Sequence, residues 1–154
     1  MNPITRYQRI LRTREQQREV VQKELRTCLE SEQQVRGTLV ELEEEHLSAL
    51  ERFEGTAAGQ GISVQELWMS RQMVQTLEGK IEHSEGELAK IQEDIEETQS
   101  RLFECHKEVR VMETYMGKLQ VREKTLRESL EQRALDDFAN SAFLRRRSHE
   151  TESF

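Results

Sequence analysis

Ile81-Glu82-His83-Ser84-Glu85-Gly86-Glu87-Leu88-Ala89-Lys90-Ile91-Gln92-Glu93-Asp94-Ile95 decides how this chain folds. Ile81, Leu88 and Ile95 stand seven residues apart, with Ser84 and Ile91 three residues after the first two and polar side chains in nearly every gap. That alternation of three and four extends in both directions. It runs Leu67, Ser70, Val74, Leu77, Ile81, Ser84, Leu88, Ile91, Ile95, Thr98, Leu102, Cys105, Val109, Met112, Met116, Leu119, Glu123, Leu126, Leu130 and Arg133. Fifteen of these twenty are apolar, with no change of phase. A second series fills the first third of the chain: Ile4, Tyr7, Leu11, Arg14, Arg18, Val21, Leu25, Cys28, Glu32, Val35, Leu39, Leu42, His46, Ala49 and Phe53. Eleven of those fifteen are apolar. A strict 3.5-residue repeat keeps one narrow stripe against a partner helix as the pair supercoils, so the pattern describes a coiled coil.

Composition agrees. Of 154 residues, 34% are hydrophobic, 34% are charged and one is proline, which suits long helices whose core is only a seam. A disordered chain has similar polarity but does not hold a seven-residue register over such a length. No run approaches the eighteen or so apolar residues that cross a bilayer. Arg6, Arg9, Arg12 and Arg14 are followed by no apolar segment, so no secretory leader is expected. Cys28 and Cys105 fall on seam positions, where a thiol packs as a small hydrophobe, and a reducing cytosol fits them best.

Asn2-Pro3 reads as a helix start, with a side-chain acceptor at the cap and a residue lacking an amide proton after it. The first helix is expected over residues 3–53. Glu54-Gly55-Thr56-Ala57-Ala58-Gly59-Gln60-Gly61 then breaks it. Ser63 and Glu66 form a capping box, with Ile62 and Leu67 as a hydrophobic staple, so the second helix should start at 63. It is expected to reach residue 145, with a frayed tail over 148–154. The fold class is therefore all-α: a long antiparallel two-helix hairpin forming one coiled-coil domain over 1–147.

Pairing residues whose numbers add to 120 sets Phe53 against Leu67, Leu39 against Ile81, Leu25 against Ile95, Leu11 against Val109 and Ile4 against Met116. Beyond Gln120 the second helix then has nothing to face. Leu126, Leu130, Leu135, Phe138 and Ala142 nonetheless carry apolar character onward as an overhang of roughly 40 Å. A stripe left bare there is an interaction surface or a homodimer contact. Charge is uneven too. Glu30–Glu54 and Glu78–Glu97 each carry eight acids against two bases, whereas Arg122–Arg147 has seven bases against five acids. Such a gradient suits different partners at the two ends.

No phosphate loop, dinucleotide fingerprint, HExxH or CxxC occurs. His46, His83, His106 and His149 are scattered, and the side chains of adjacent Cys105 and His106 diverge by about 100° on a helix. A two-stranded coil supplies no water-excluding pocket, so no enzyme, metal or cofactor is expected. Net charge −7 and the lack of interleaved aromatics argue against nucleic acid. The Arg145-Arg146-Arg147 run allows a secondary, peripheral contact with a membrane surface.

Three stretches carry a family resemblance. Ile4-Thr5-Arg6-Tyr7-Gln8-Arg9-Ile10-Leu11-Arg12-Thr13-Arg14-Glu15 resembles the opening of the FliJ family of flagellar export proteins. Gln75-Thr76-Leu77-Glu78, after the glycine break, is similar to the start of that family's second helix. Leu135-Asp136-Asp137-Phe138-Ala139 resembles the acidic element that precedes its basic finish. The resemblance covers residues 4–147 and implies a component of the flagellar type III export apparatus. It also implies a stalk-like hairpin whose terminal ends enter the export ATPase hexamer, contact with the cytoplasmic domain of the export gate, and escort of export chaperones. The expected location is the cytoplasm, at the inner face of the membrane beneath the flagellum.

On this resemblance the ATPase ring would touch Leu126, Leu130, Leu135, Asp136, Asp137, Phe138 and Ala142. The gate patch would fall on Leu39, Leu42, His46, Met73 and Leu77, with Ser84 at its edge. Trp68 and Met73 lie off the seam and are the better exposed anchors, whereas Leu39, Leu42 and Leu77 are seam residues that also suit an internal core. The equivalent stalk of a virulence secretion injectisome, and a purely structural coiled-coil dimer, are the competing readings.

Overall fold

The computed structural model describes residues 2–59, 61 and 63–152. These form two helices, α1 (Pro3–Ala58) and α2 (Val64–Glu152), and no strand occurs among them. Both starts follow the cap chemistry. The Asn2 side-chain oxygen accepts from the Ile4 amide at 3.2 Å, and the Ser63 hydroxyl accepts from the Glu66 amide at the same distance. Each satisfies one of the amides that a helix start leaves unpaired. Ile62, half of the expected staple, lies outside the described residues.

The helix ends differ from expectation. α1 continues past Phe53 to Ala58, carrying Gly55 inside it. One glycine weakens a helix by about 1 kcal/mol, which Thr56, Ala57 and Ala58 tolerate. The turn comes where Gly59 donates to the Thr56 carbonyl at 3.3 Å, and Gly61 takes φ +87°, a conformation costly for any side chain with a Cβ. At the other end α2 passes Arg145 and includes 148–152, expected to fray. No glycine or proline follows Gly117 to stop it.

Burial follows the seam closely. All fifteen seam positions of α1, and those of α2 from Leu67 to Leu119, are buried or half-buried. From Gln120 to Glu152 every residue is exposed.

The chain divides into two compact units, Gln16–Cys105 and Met1–Glu15 with His106–Phe154. In the first, Ala49, Val74 and Leu77 form a buried cluster, with Leu42, Leu50 and Phe53 packed on it. Arg101 donates to Glu24 at 2.8 Å, and His46 lies 3.2 Å from Glu78. In the second, Arg14 donates to Glu108 at 2.8 Å, and the rings of Tyr7 and Tyr115 meet edge-on at 4.8 Å. Their linked hydroxyls raise the Tyr115 pKa above the usual phenol value, through the hydrogen bond and then the charge of Tyr7.

Within each unit, contacts climb α1 while descending α2, but the register is about three residues off the expected one. A sum of 120 puts Tyr7 beside Glu113 and Ala49 beside Arg71. Tyr7 meets Tyr115, and Ala49 packs with Val74. The shift has a packing cause. The expected register set like seam positions against each other. The observed one, near a sum of 123, sets the first heptad position of one helix opposite the fourth of the other, so that every seam residue faces a seam residue and equal gaps lie side by side. Leu39 and Ser84 are both buried. The Thr98 hydroxyl, also buried, donates to the Asp94 carbonyl at 2.7 Å. One seam position is poorly served: Arg18 Nε is buried without a hydrogen-bond partner among the described residues.

Candidate partner surfaces

The first surface is the exposed length of α2 beyond Leu119. Leu126, Leu130, Leu135 and Phe138 are all more than half exposed, with Phe138 the most open at 73%. Ala142 is exposed as well, and Asp136 accepts from Gln132 at 3.1 Å, which fixes one of the two acidic side chains along the helix. Asp137 is exposed. Helical geometry resolves the expected single stripe into two. At about 100° per residue Leu126 and Leu130 lie some 40° apart and continue the seam, whereas Leu135, Phe138 and Ala142 sit on a second face about 120–180° round. Leu144 returns to the first face, and it too is exposed. This segment is apolar on two sides.

The second surface belongs to the Gln16–Cys105 unit. Here the structure separates the expected gate residues. Leu39 and Leu77 are buried and Leu42 packs against the Ala49 cluster, so these three hold the helices together. His46 is half-buried and faces Glu78. Trp68, at 60% exposure, and Met73, at 50%, stand in the open, as the off-seam positions suggested. Sequence reasoning did not single out Met69, Leu47 and Val40, which are equally exposed. The signal was present: all three are large apolar residues off the heptad seam.

The depressions among the described residues are shallow side grooves, and no group of three His, Cys, Asp or Glu is placed to hold a metal ion there. Cys28 and Cys105 are both free thiols. Among the described residues no helix is long and apolar enough to cross a membrane.

The profile described as Flagellar FliJ protein fits residues 3–148. The chain belongs to the FliJ family. No curated protein and no solved structure matches it. FliJ membership implies a component of the flagellar export apparatus, with an accessory rather than enzymatic part in it. The family match runs across both units and covers the seam and most of the bare length of α2.

Proposed function

We propose that this FliJ-family chain is an antiparallel two-helix coiled coil that serves as the central stalk of the flagellar export ATPase. Its bare α2 segment enters the ATPase hexamer, and its Trp68–Met73 surface meets the cytoplasmic domain of the export gate, coupling one to the other. Escort of export chaperones belongs to the same reading, as does a cytoplasmic position at the membrane's inner face beneath the flagellum.

The observation that carries the ATPase assignment is the pair of apolar faces on the bare segment. A flat partner covers one side of a helix, whereas a partner that surrounds it covers both. Leu126 and Leu130 on one side, with Leu135, Phe138 and Ala142 on the other, fit a hole better than a plane. Leaving so many large apolar side chains in water is unfavourable at about 25 cal/mol per Å², so a surrounding partner has a substantial driving force. The test is a pull-down with the cell's own export ATPase. The full chain should capture it and the double variant Leu130→Asp, Phe138→Asp should not. Equal capture by both would refute the ring contact.

A further inference from the structure

The bare length of α2 carries a heptad pattern of its own, out of phase with the seam. Glu128, Glu131, Leu135, Phe138, Ala142 and Arg145 follow one another at steps of three and four residues. At about 100° per residue they fall within an arc of about 100° on one side of the helix. None of them is a seam position, because the seam continues through Leu126, Leu130, Arg133, Asp137, Asn140 and Leu144. All six are exposed, Leu135 at 62% and Phe138 at 73%. A seam in a new phase suits a helical partner other than α1, and every residue from Gln120 to Glu152 lies open to one.

The order of charges along that face specifies the partner. Its N-terminal end is acidic (Glu128 and Glu131), its middle is apolar, and its C-terminal end is basic, with Arg146 beside Arg145. Glu128, Glu131, Arg145 and Arg146 make no ion pair among the described residues. A face with this order is complementary to itself reversed. In an antiparallel pair whose facing numbers add to 273, Leu135 meets Phe138 of the second copy, Glu131 meets Ala142 and Glu128 meets Arg145. Each contact occurs twice about a two-fold axis, so the contact closes on itself. Every position of the face is used. Ala134, Ala139 and Ser141, beside its apolar middle, are small enough to let the two helices approach. A parallel pair would instead set Glu128 against Glu128 and Arg145 against Arg145, which like-charge repulsion disfavours.

We infer that two copies of this chain pair antiparallel through the Glu128–Arg145 face of α2, as a short two-fold coiled coil. The paired stretch is about 25 Å of helix, under three heptads, so the dimer is reversible rather than permanent. It covers one of the two apolar faces and leaves Leu126 and Leu130 bare. The pairing goes beyond the stalk reading and does not depend on it. The two share Leu135, Phe138 and Ala142, however. On the stalk reading the second copy and the ATPase ring therefore compete for one face, and the dimer keeps it covered until the ring takes it.

Sedimentation equilibrium of the full chain over a range of concentrations should show a monomer–dimer equilibrium. Glu128→Arg sets like charges face to face at both ends of the contact, and so does Arg145→Glu. Each alone should raise the dissociation constant by about tenfold or more. The chain carrying both changes restores opposite charges and should return to within about threefold of the parent. An equimolar mixture of the two single variants should also dimerise, because each supplies the charge the other lacks. A chain that stays monomeric at every concentration would overturn the inference. So would a dimer that neither single change weakens, or a double variant that does not recover. Adding the cell's own export ATPase separates this inference from the stalk reading. Capture of a chain that is monomeric throughout removes the dimer and keeps the stalk. A dimer that persists beside excess ATPase and never binds it removes the ring contact and keeps the dimer. Capture that leaves the dimer whole overturns the competition for one face.

Discussion

Leu102–Leu119 and Leu126–Leu144 lie on the same helix and draw on the same residue types, yet one stretch hides its leucines and the other shows them. Seam residues in the first are shielded, with Val109 at 1% exposure, and residues in the second are exposed without exception. Intrinsic helix propensity cannot explain this, because both stretches are helical. What differs is the presence of an α1 segment to pack against, which supplies most of the stability of a paired helix. Where α1 is available the apolar period locks to one side. Where it is not, the apolar residues spread over two faces. The lesson is that an unbroken helix need not have one function. Its pairing changes along its length, and its surface chemistry changes with it.

Substitutions can sharpen or break that contrast. The largest effect is expected at Ile95, which is buried. Ile95→Asp places an unpaired carboxylate among apolar side chains and should cost about 3–5 kcal/mol, read as a large drop in the thermal midpoint by circular dichroism. Arg18→Leu should act in the opposite direction. It removes a buried Nε that has no partner and completes the seam, so stability should rise by about 1–3 kcal/mol in urea denaturation. Ser63→Ala removes the side-chain acceptor for the Glu66 amide and should cost about 1 kcal/mol in the same assay. Leu130→Asp, on the bare segment, should move the midpoint least, by under about 0.5 kcal/mol. A loss at Leu130 comparable to that at Ile95 would mean the overhang is packed after all.

The Tyr7–Tyr115 contact gives an alkaline prediction. The folded pKa of Tyr115 lies above its unfolded value of 10.0, so the folded state holds its proton longer. The stability this contributes is therefore complete below that value and declines as pH rises through the folded pKa. Tyr7→Phe removes the hydroxyl partner and should bring the phenolate titration of Tyr115 back down, as followed by ultraviolet absorbance.

Much of this was legible from residue order alone. The heptad positions from Ile4 to Phe53 and from Leu67 to Leu119 are shielded ones, and both N-caps lie where Asn2 and Ser63 indicate. The register was less legible. A sum of 120 aligns only every other seam position, whereas the offset that joins Ala49 with Val74 aligns every one of them, and offsets one heptad away do so as well. The first helix end was misplaced because Gly55 looks like a breaker when read by itself, whereas among the described residues the positive φ falls at Gly61. Leu39 and Leu77 illustrate the limit for binding residues. A leucine at a seam position suits a core and a contact equally well until its exposure is known, and theirs places them in the core. The exposure of Trp68 and Met73 was readable because the heptad period had no place for them.

The most direct test of the whole division is a chain ending at Gln120, measured beside the full-length protein. Circular dichroism and stimulation of the cognate export ATPase should be recorded on the same samples. The shortened chain should keep a helical, cooperatively melting structure and lose its stimulation of the ATPase. Full stimulation by the shortened chain would contradict the account, because the bare length of α2 would then have no part in driving the ring.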